Sequence, residues 1–495
     1  MKIRVLFSMA VIVAATSELR AQYAEDALRF SRSQWGSTAR FKAINAQTAV
    51  GGDLSSVGGN PAGTGLFTRS EISLTPQFSA HSNSSKYLGQ QAIARGDKLG
   101  LANFAIVFHS RAAKPKGANL NQGWLSYNFG IAYNQTQGFN NSLNYSGTNP
   151  ENSIADFFAE SATNNFGPPN TLQVGSLERM AYDNYLISYD NRDRYYFPGT
   201  DVNNVQTKND VRFGQQSEVN FSFGANYSNQ FYVGASIGIA NINYNTNDKY
   251  SEKGFNVTEN NNYDLSYRQS QLTRGSGING KIGAIYRPVP NVRLGASFES
   301  PTWYTIDDSY SEGLDTKYGK SKVDSQFVND DEFYEFTYGL RTPLKISTGI
   351  SYFFDDKGFI TADLDYVDYS TINFSVANTG DSQVISDNNK AVLSRYTHAI
   401  NFRLGAEYKI ENLMLRAGYG SQGDPYVATD QKSFTISTYS GGLGYRFNNY
   451  YIDMTFQRIS SNSERWPYAL NDIPSAIADV RNARNNLFVT IGTRF

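Results

Sequence analysis

Very few residues in this chain could carry covalent or metal chemistry, and their spacing argues against both. The 495 residues include no cysteine and three histidines, His81, His109 and His398. Thiolate ligands and nucleophiles are thereby excluded, and no two histidines stand at a metal-ligand spacing. His109 precedes Ser110, which is adjacency without the oriented base that activates a serine. A haem receptor needs an axial His, Tyr or Met, and nothing singles one out. The run Asp330, Asp331 and Glu332 offers oxygens to a Ca2+ ion, although a solvated loop explains it more simply. No glycine-rich loop follows a strand and opens a helix, as phosphate binding requires. The expectation is a non-enzyme with no catalytic residues, no metal and no cofactor. A net charge of −1 argues against a nucleic-acid partner as well.

The chemistry the pattern does allow is non-covalent binding of apolar molecules. Around Leu101 to Phe108 both faces of an extended segment are apolar, with Phe104, Ile106 and Phe108 on one and Leu101, Ala105 and Val107 on the other. If the first face meets lipid, the second leaves part of an interior apolar, as ligand pockets are. Packing against another stretch of chain explains it equally well. Arg293, Lys345, Arg403, Arg416 and Arg446 could meet a carboxylate head group from that interior. Asp363, Asp365, Glu407 and Asp453 are just as available to pair with them.

The elements that must hold these residues are marked by alternation. In Phe231 to Tyr244 the odd positions Phe231, Val233, Ala235, Ile237 and Ile239 are apolar, against Tyr232, Gly234, Ser236, Gly238 and Ala240. Successive side chains of a strand point to opposite faces, so one face is lipid-like. Ile400, Phe402, Leu404, Ala406 and Tyr408 likewise oppose Asn401, Arg403, Gly405 and Glu407, and Tyr450, Ile452, Met454 and Phe456 oppose Asp453, Thr455 and Gln457. A charge facing lipid costs about 2–4 kcal/mol at the bilayer midplane, so the charged sets must be internal.

Fourteen such segments can be read, near 70–80, 100–109, 124–134, 217–228, 231–244, 276–287, 291–299, 343–354, 359–370, 397–409, 413–420, 436–447, 450–458 and 487–495. Tight links at 229–230, 288–290, 355–357, 410–412 and 448–449 alternate with long polar ones at 135–216, 245–275, 300–342, 371–396 and 459–486. The link 110–123 is longer than its place predicts. Short periplasmic turns alternating with long extracellular loops are what a transmembrane barrel demands. No run of about 18 apolar residues occurs beyond the N-terminus, and mean hydropathy is −0.47, because alternation hides the membrane signal. The predicted fold is all-β, a 14-stranded antiparallel transmembrane β-barrel. Tyr227, Tyr244, Tyr286, Tyr352, Tyr366, Tyr408, Tyr419, Tyr445 and Tyr450 are expected in its interfacial girdles.

Residues 1–21 read as a secretory signal, with Lys2 and Arg4, then apolar Val5 to Ala15, then Leu19-Arg20-Ala21 before Gln22. Residues 22–69 lack alternation and are expected inside the barrel as a hatch, or plug, a periplasmic tail being the other possibility. Residues 70–495 would form the barrel. Within 135–216, Ser153 and Asp156 make a capping-box pattern, and Ile154, Phe157 and Phe158 share one helical face. That face could give hydrophobic molecules a landing surface, or pack the loop onto the rim.

Gly36-Ser37-Thr38-Ala39-Arg40, Ala49-Val50-Gly51-Gly52-Asp53 and Asn60-Pro61-Ala62-Gly63 resemble the N-terminal hatch of the FadL/TodX family. These are outer-membrane transporters of long-chain fatty acids and other hydrophobic compounds, and their hatch carries an Asn-Pro-Ala signature. Leu294 to Pro301 is similar to the family's seventh strand, and Leu413 to Tyr419 and Ser440 to Phe447 to later ones. Phe495 takes the place of the terminal aromatic that signals to the barrel-assembly machinery. The resemblance covers nearly the whole mature chain.

It implies a monomeric barrel in the outer membrane of a Gram-negative bacterium, gated by a hatch that includes Gly51, Gly52, Asp53 and Asn60 to Gly63. Extracellular loops would capture a hydrophobic small molecule, such as a fatty acid, and pass it to an apolar lumen pocket. Release would be sideways into outer-membrane lipid, through an opening at a kink in the third strand. That strand, near Trp124 to Asn134, holds Gly130 but no proline, so the kink has no evident place. A non-transporting barrel that serves as a structural or secretion-machine subunit is the alternative, and a water-filled porin a third.

Overall fold

The computed structural model describes residues 16–117, 119–319, 325–377, 382–427, 434–471 and 474–495, with side-chain positions for all of these but 16–23 and 325–333. Fourteen antiparallel staves close into one barrel. They are β1 (Glu71–Tyr87), β2 (Gln90–Arg111), β3 (Trp124–Gly138, continued by Asn141–Asn149), β4 (Asn204–Tyr227), β5 (Phe231–Asn256), β6 (Asn261–Val289) and β7 (Val292–Glu299, continued by Trp303–Tyr318). The circuit runs on through β8 (Ser325–Arg341, then Lys345–Phe353), β9 (Gly358–Asp368, then Asn373–Val376), β10 (His398–Ile410), β11 (Leu413–Gln422), β12 (Ile436–Phe447), β13 (Tyr450–Arg465) and β14 (Ala478–Arg494). β14 pairs back onto β1 from Glu71 opposite Arg494 to Lys86 opposite Asp479, which closes the ring.

Each alternating segment lies in one of these staves, with the expected faces except at Leu101 and Tyr244. Phe221, Ile237, Ile350, Ile400, Met454 and Ile491 are exposed on the outer surface, while Asn401, Arg403, Asp453, Thr455 and Gln457 are buried within. No helix among the described residues is long and apolar enough to cross a membrane; the crossing is made by strands. The short turns rest on left-handed residues, Asn229 (φ 55°), Asp355 (φ 53°), Glu411 (φ 53°) and Asn448 (φ 52°). The left-handed region suits two-residue hairpins and is easiest for Asn and Asp among non-glycine residues.

The long links differ from expectation. β5 has 26 residues and β6 has 29, whereas about 9–11 suffice to cross a bilayer. Most of 245–275 is therefore strand, a hairpin closed at 257–260, and much of 300–342 is the upper parts of β7 and β8. Above the lipid the outward face of β5 turns to Asn241, Asn243, Asn247 and Lys249, so the period that betrays a membrane strand is lost although the ladder continues.

Two side-chain assignments are corrected. Tyr244 is not in a girdle. It lies on the inward, even-numbered face of β5, 2% exposed, edge-on to Phe30 and beneath the guanidinium of Arg29. Leu101 does not share a face with Ala105 and Val107. The register slips between Thr75 and Pro76, with Thr75 opposite Asn103 and Pro76 opposite Leu101. This bulge inserts one residue and reverses the side-chain phase, so Leu101 is exposed while Ala105 and Val107 are buried.

The N-terminal segment carries α1 (Thr16–Ser31), α2 (Ala39–Ile44) and two 3-10 turns, Leu54–Val57 and Pro61–Leu66. The signal expected at 1–21 falls mostly outside the described residues. Among the described residues three α-helices lie between staves, α3 (Ile154–Asn165) and α4 (Leu177–Asp183) between β3 and β4, and α5 (Ser382–Arg395) between β9 and β10.

Candidate functional site: the bore and its upper cavity

Residues 34–67 lie across the bore, held on all sides by inward wall groups. Ala39 donates its N–H to Thr490 Oγ1 at 2.7 Å, and Thr455 Oγ1 donates to Ala39 O at 2.6 Å. Asn128 Nδ2 donates to Thr64 O at 2.7 Å, Lys281 Nζ to Gly58 O at 2.9 Å, and Arg293 Nη1 to Val50 O at 2.6 Å. Asp363 Oδ2 accepts from the N–H groups of Gln47 and Thr48 at 2.7 and 2.9 Å. Leu54, Val57 and Phe67 pack on Ala105 and Val107, so those two wall residues are covered by the segment.

Close contact requires wall positions without side chains. A Cβ at Gly224 would strike Gly65, one at Gly234 the Pro61 carbonyl, one at Gly295 the Thr48 carbonyl, and one at Gly405 the Ile44 carbonyl. Gly224, Gly234 and Gly283 stand opposite one another in register on β4, β5 and β6, a shelf on which the segment's backbone rests. Inside the segment, Gly51 (φ 59°) and Gly52 (φ 67°) take left-handed conformations at no side-chain cost. Gly51 also approaches Gly63, 2.9 Å from where its Cβ would sit. Asp53 caps the first 3-10 turn through Ser55 N–H and accepts from Thr38 Oγ1 at 2.7 Å. Asn60 caps the second through Ala62 N–H, Pro61 standing at its first position, and donates to Thr48 O at 2.7 Å. The residues of the Asn-Pro-Ala motif thus build one compact knot.

Above this layer is a cavity of about 770 Å3, within the usual range for small-molecule sites. Leu28 of α1, Trp35, Phe139 at the break in β3, Tyr426, Phe434 and Trp466 supply apolar surface; Arg29, Arg32, Arg212, Arg395, Arg465 and Arg484 supply positive charge, and Glu25 and Glu464 negative. Arg212 is paired with Asp210, and Arg465 with Glu25 at 3.4 Å. The wall beside the cavity is interrupted. β3 pairs with β2 from Arg111 opposite Ser126 to Asn103 opposite Asn134, then breaks at Phe139 and Asn140 and continues against β4 alone. No proline is involved. The break follows a register slip between Gln135 and Gln137 on the β4 side.

The cations expected to face a ligand are dispersed and engaged. Lys345 pairs with Glu299 at 2.6 Å, and Arg403 with Asp363 and Asp365 while stacking on Trp35. Both line a separate polar cavity of about 130 Å3. Arg416 pairs with Glu407 and Asp453, each at 2.6 Å, and Arg446 with Asp453 at 3.1 Å. These two line a pocket of about 310 Å3 at the short-turn end. Arg293 stacks on Phe353 at 4.3 Å. None of the five lines the 770 Å3 cavity.

The capping box at Ser153 and Asp156 forms, but Ile154, Phe157 and Phe158 are 1%, 9% and 0% exposed in a core with Tyr267, Leu314 and Tyr468. They pack the cap at the long-loop end and offer no landing surface. Phe495 is exposed, its N–H donating to Ser70 O at 2.9 Å. Among the described residues no group of acidic or histidine side chains could hold a metal ion. The residues of the upper cavity went unseen in the sequence because α1, the β3 break and the upper ends of β12 to β14 meet there from remote positions, with no shared motif.

No protein-family model matches the chain, and no curated protein matches it in sequence. Solved structures do match. The Pseudomonas putida toluene transporter TodX superposes with a TM-score of 0.53 at 13% identity, over 93% of this chain and 99% of that one. A Pseudomonas aeruginosa FadL homologue gives 0.53 at 12% identity, with the same coverage. The CymD monoaromatic hydrocarbon channel gives 0.50 at 13%, over 94% of this chain and 99% of that one. The chain has the FadL/TodX barrel fold across nearly its full length.

Proposed function

We propose that this barrel moves hydrophobic small molecules across the outer membrane by passive transport. The observation that carries the reading is the 770 Å3 cavity, whose lining sets the aromatic side chains of Trp35, Phe139, Tyr426, Phe434 and Trp466 among arginines, above a bore filled by the N-terminal segment and beside the break in β3. A greasy solute dissolves in a bilayer but not in the polar saccharide layer outside it, so it needs a sheltered path rather than a water-filled channel. In this reading the extracellular cap admits the solute to the cavity, and the knot at Gly51, Gly52, Asp53 and Asn60 to Gly63 acts as the hatch. The solute leaves sideways at the β3 break. Proteins of the same fold are named for toluene and monoaromatic hydrocarbons; for this chain the substrate class extends to fatty acids, whose alkyl chains the same lining would shelter.

Cells carrying the barrel should take up toluene or a fluorescent fatty acid saturably, and Trp35→Ala with Trp466→Ala should weaken that uptake. Absence of uptake for both probes, together with copurification of a large partner, would establish the structural or secretion-machine role instead.

A further inference from the structure

The break in β3 leaves a seam. Above Asn103, β2 is paired with β1 alone among the described residues. The continuation of β3 leans inward over β1, where Asn83 Nδ2 donates to Asn141 Oδ1 and Ser142 O, both at 2.6 Å, and Ser85 Oγ to Asn144 O at 2.6 Å. Behind the seam is a chamber of about 20 Å3 touching Gln77, Ser79, Lys98 and Gly100, room for roughly one water. The residues that line both this chamber and the 770 Å3 cavity are Gln34, Gly138 and Arg484. Gly138 has no side chain, and the Gln34 side chain is held by Lys42 Nζ, which donates to its Oε1 at 3.3 Å. That leaves Arg484 as the long side chain that reaches both spaces.

We infer that Arg484 is the latch between the upper cavity and the β2–β3 seam. It reaches from β14 across the bore wall, Nη1 donating to Gly138 O at 2.8 Å and Nη2 to Asn140 O at 3.1 Å. Those two carbonyls flank the break. Arg403 and Arg416 are each fixed by two carboxylates, whereas no carboxylate among the described residues pairs with Arg484. A guanidinium held by neutral carbonyls can be withdrawn without stranding a buried anion, which is the larger cost in breaking a buried pair. In place, it closes the chamber; withdrawn, it joins the chamber to the cavity along the unpaired edge of β2. The assignment rests on the β3 break being the exit, and makes Arg484 the positioning residue that governs it.

The chain has no cysteine, so Gly100→Cys introduces a single thiol in the chamber. Its Cβ would meet nothing closer than 3.7 Å. In liposomes, a charged methanethiosulfonate reagent added to the medium should label this thiol slowly. Adding Arg484→Met should speed labelling at least roughly tenfold, the scale of losing two charge-assisted hydrogen bonds. Arg484→Lys keeps the charge without the fork and should fall between. Ser461→Cys, whose side chain lines the upper cavity, should label at one rate in all three backgrounds. Equal rates at Gly100→Cys with and without Arg484 overturn the latch, as does parallel acceleration at Ser461→Cys, which would signify general loosening. No transported solute enters this experiment. A barrel that latches in this way yet moves no hydrophobic probe would therefore refute the transport reading and leave the latch standing.

Discussion

Asp363 accepts three hydrogen bonds from Gln47 and Thr48 through one oxygen and pairs with Arg403 on the next stave. A single wall carboxylate so ties the N-terminal segment to the barrel. Asp363→Asn should loosen that segment by about 1–3 kcal/mol, seen as faster protease cleavage within 34–60 at an unchanged barrel melting temperature. Arg403→Met leaves Asp363 and Asp365 buried without their counter-ion and should cost about 3–5 kcal/mol, read as a lower melting temperature. Arg293→Met, which strands no carboxylate, should cost clearly less in the same measurement. At this scale the faces were legible wherever alternation was unbroken, as at Arg403 and Asp453. They were misread at Leu101, because a bulge opposite Pro76 reverses the phase and leaves no mark on the residues it displaces. Partners within the wall were legible as a set, since Arg403, Arg416 and Arg446 do pair with Asp363, Asp365, Glu407 and Asp453; partners in the N-terminal segment were not, since Asp363 meets Gln47 from 316 positions away.

The cap at the long-loop end packs α3 and α4 on the upper ends of β5, β6 and β7, so its helices can be probed apart from the lower staves. Ser153 and Asp156 cap α3 reciprocally, so Ser153→Ala should cost about 1 kcal/mol, measured as faster hydrogen exchange over 154–165 with the staves unaffected. Burial pushes the carboxyl groups of Glu178 and Asp156 above their ordinary values, against opposing hydrogen bonds from Ser161 and Ser153. A carboxyl raised on folding favours the protonated state, so its contribution is complete below the unfolded value and is lost as pH rises through the folded one. For Glu178 that loss begins above 4.5. Exchange in α4, corrected for intrinsic rates, should quicken as pH rises from there, and Glu178→Gln should flatten the dependence. The capping box and the helix were legible from local spacing. The fate of its apolar face was not, because Tyr267, Leu314 and Tyr468 reach it from three different staves or loops.

Taken whole, the barrel is a membrane cylinder whose strands continue far past the lipid and whose bore is crossed by its own N-terminal segment. In planar bilayers it should pass little steady current, and deleting 24–67 should give an open pore of stable conductance. A large current from the intact chain would favour a porin. Stave number, order and turn parity were readable from the chain because lipid imposes one rule on every stave. The lengths above the membrane, the β3 break and the upper cavity were not, because water relaxes that rule. Continuity of the N-terminal segment with β1 carries a consequence for biogenesis. The glycine shelf and Asp363 are satisfied by residues that the covalent link through Ser70 holds at the mouth of the bore, at an effective concentration a free peptide does not reach. Residues 22–69 supplied as a separate peptide should therefore fail to restore a barrel assembled without them, whereas a chain carrying them fills its own bore.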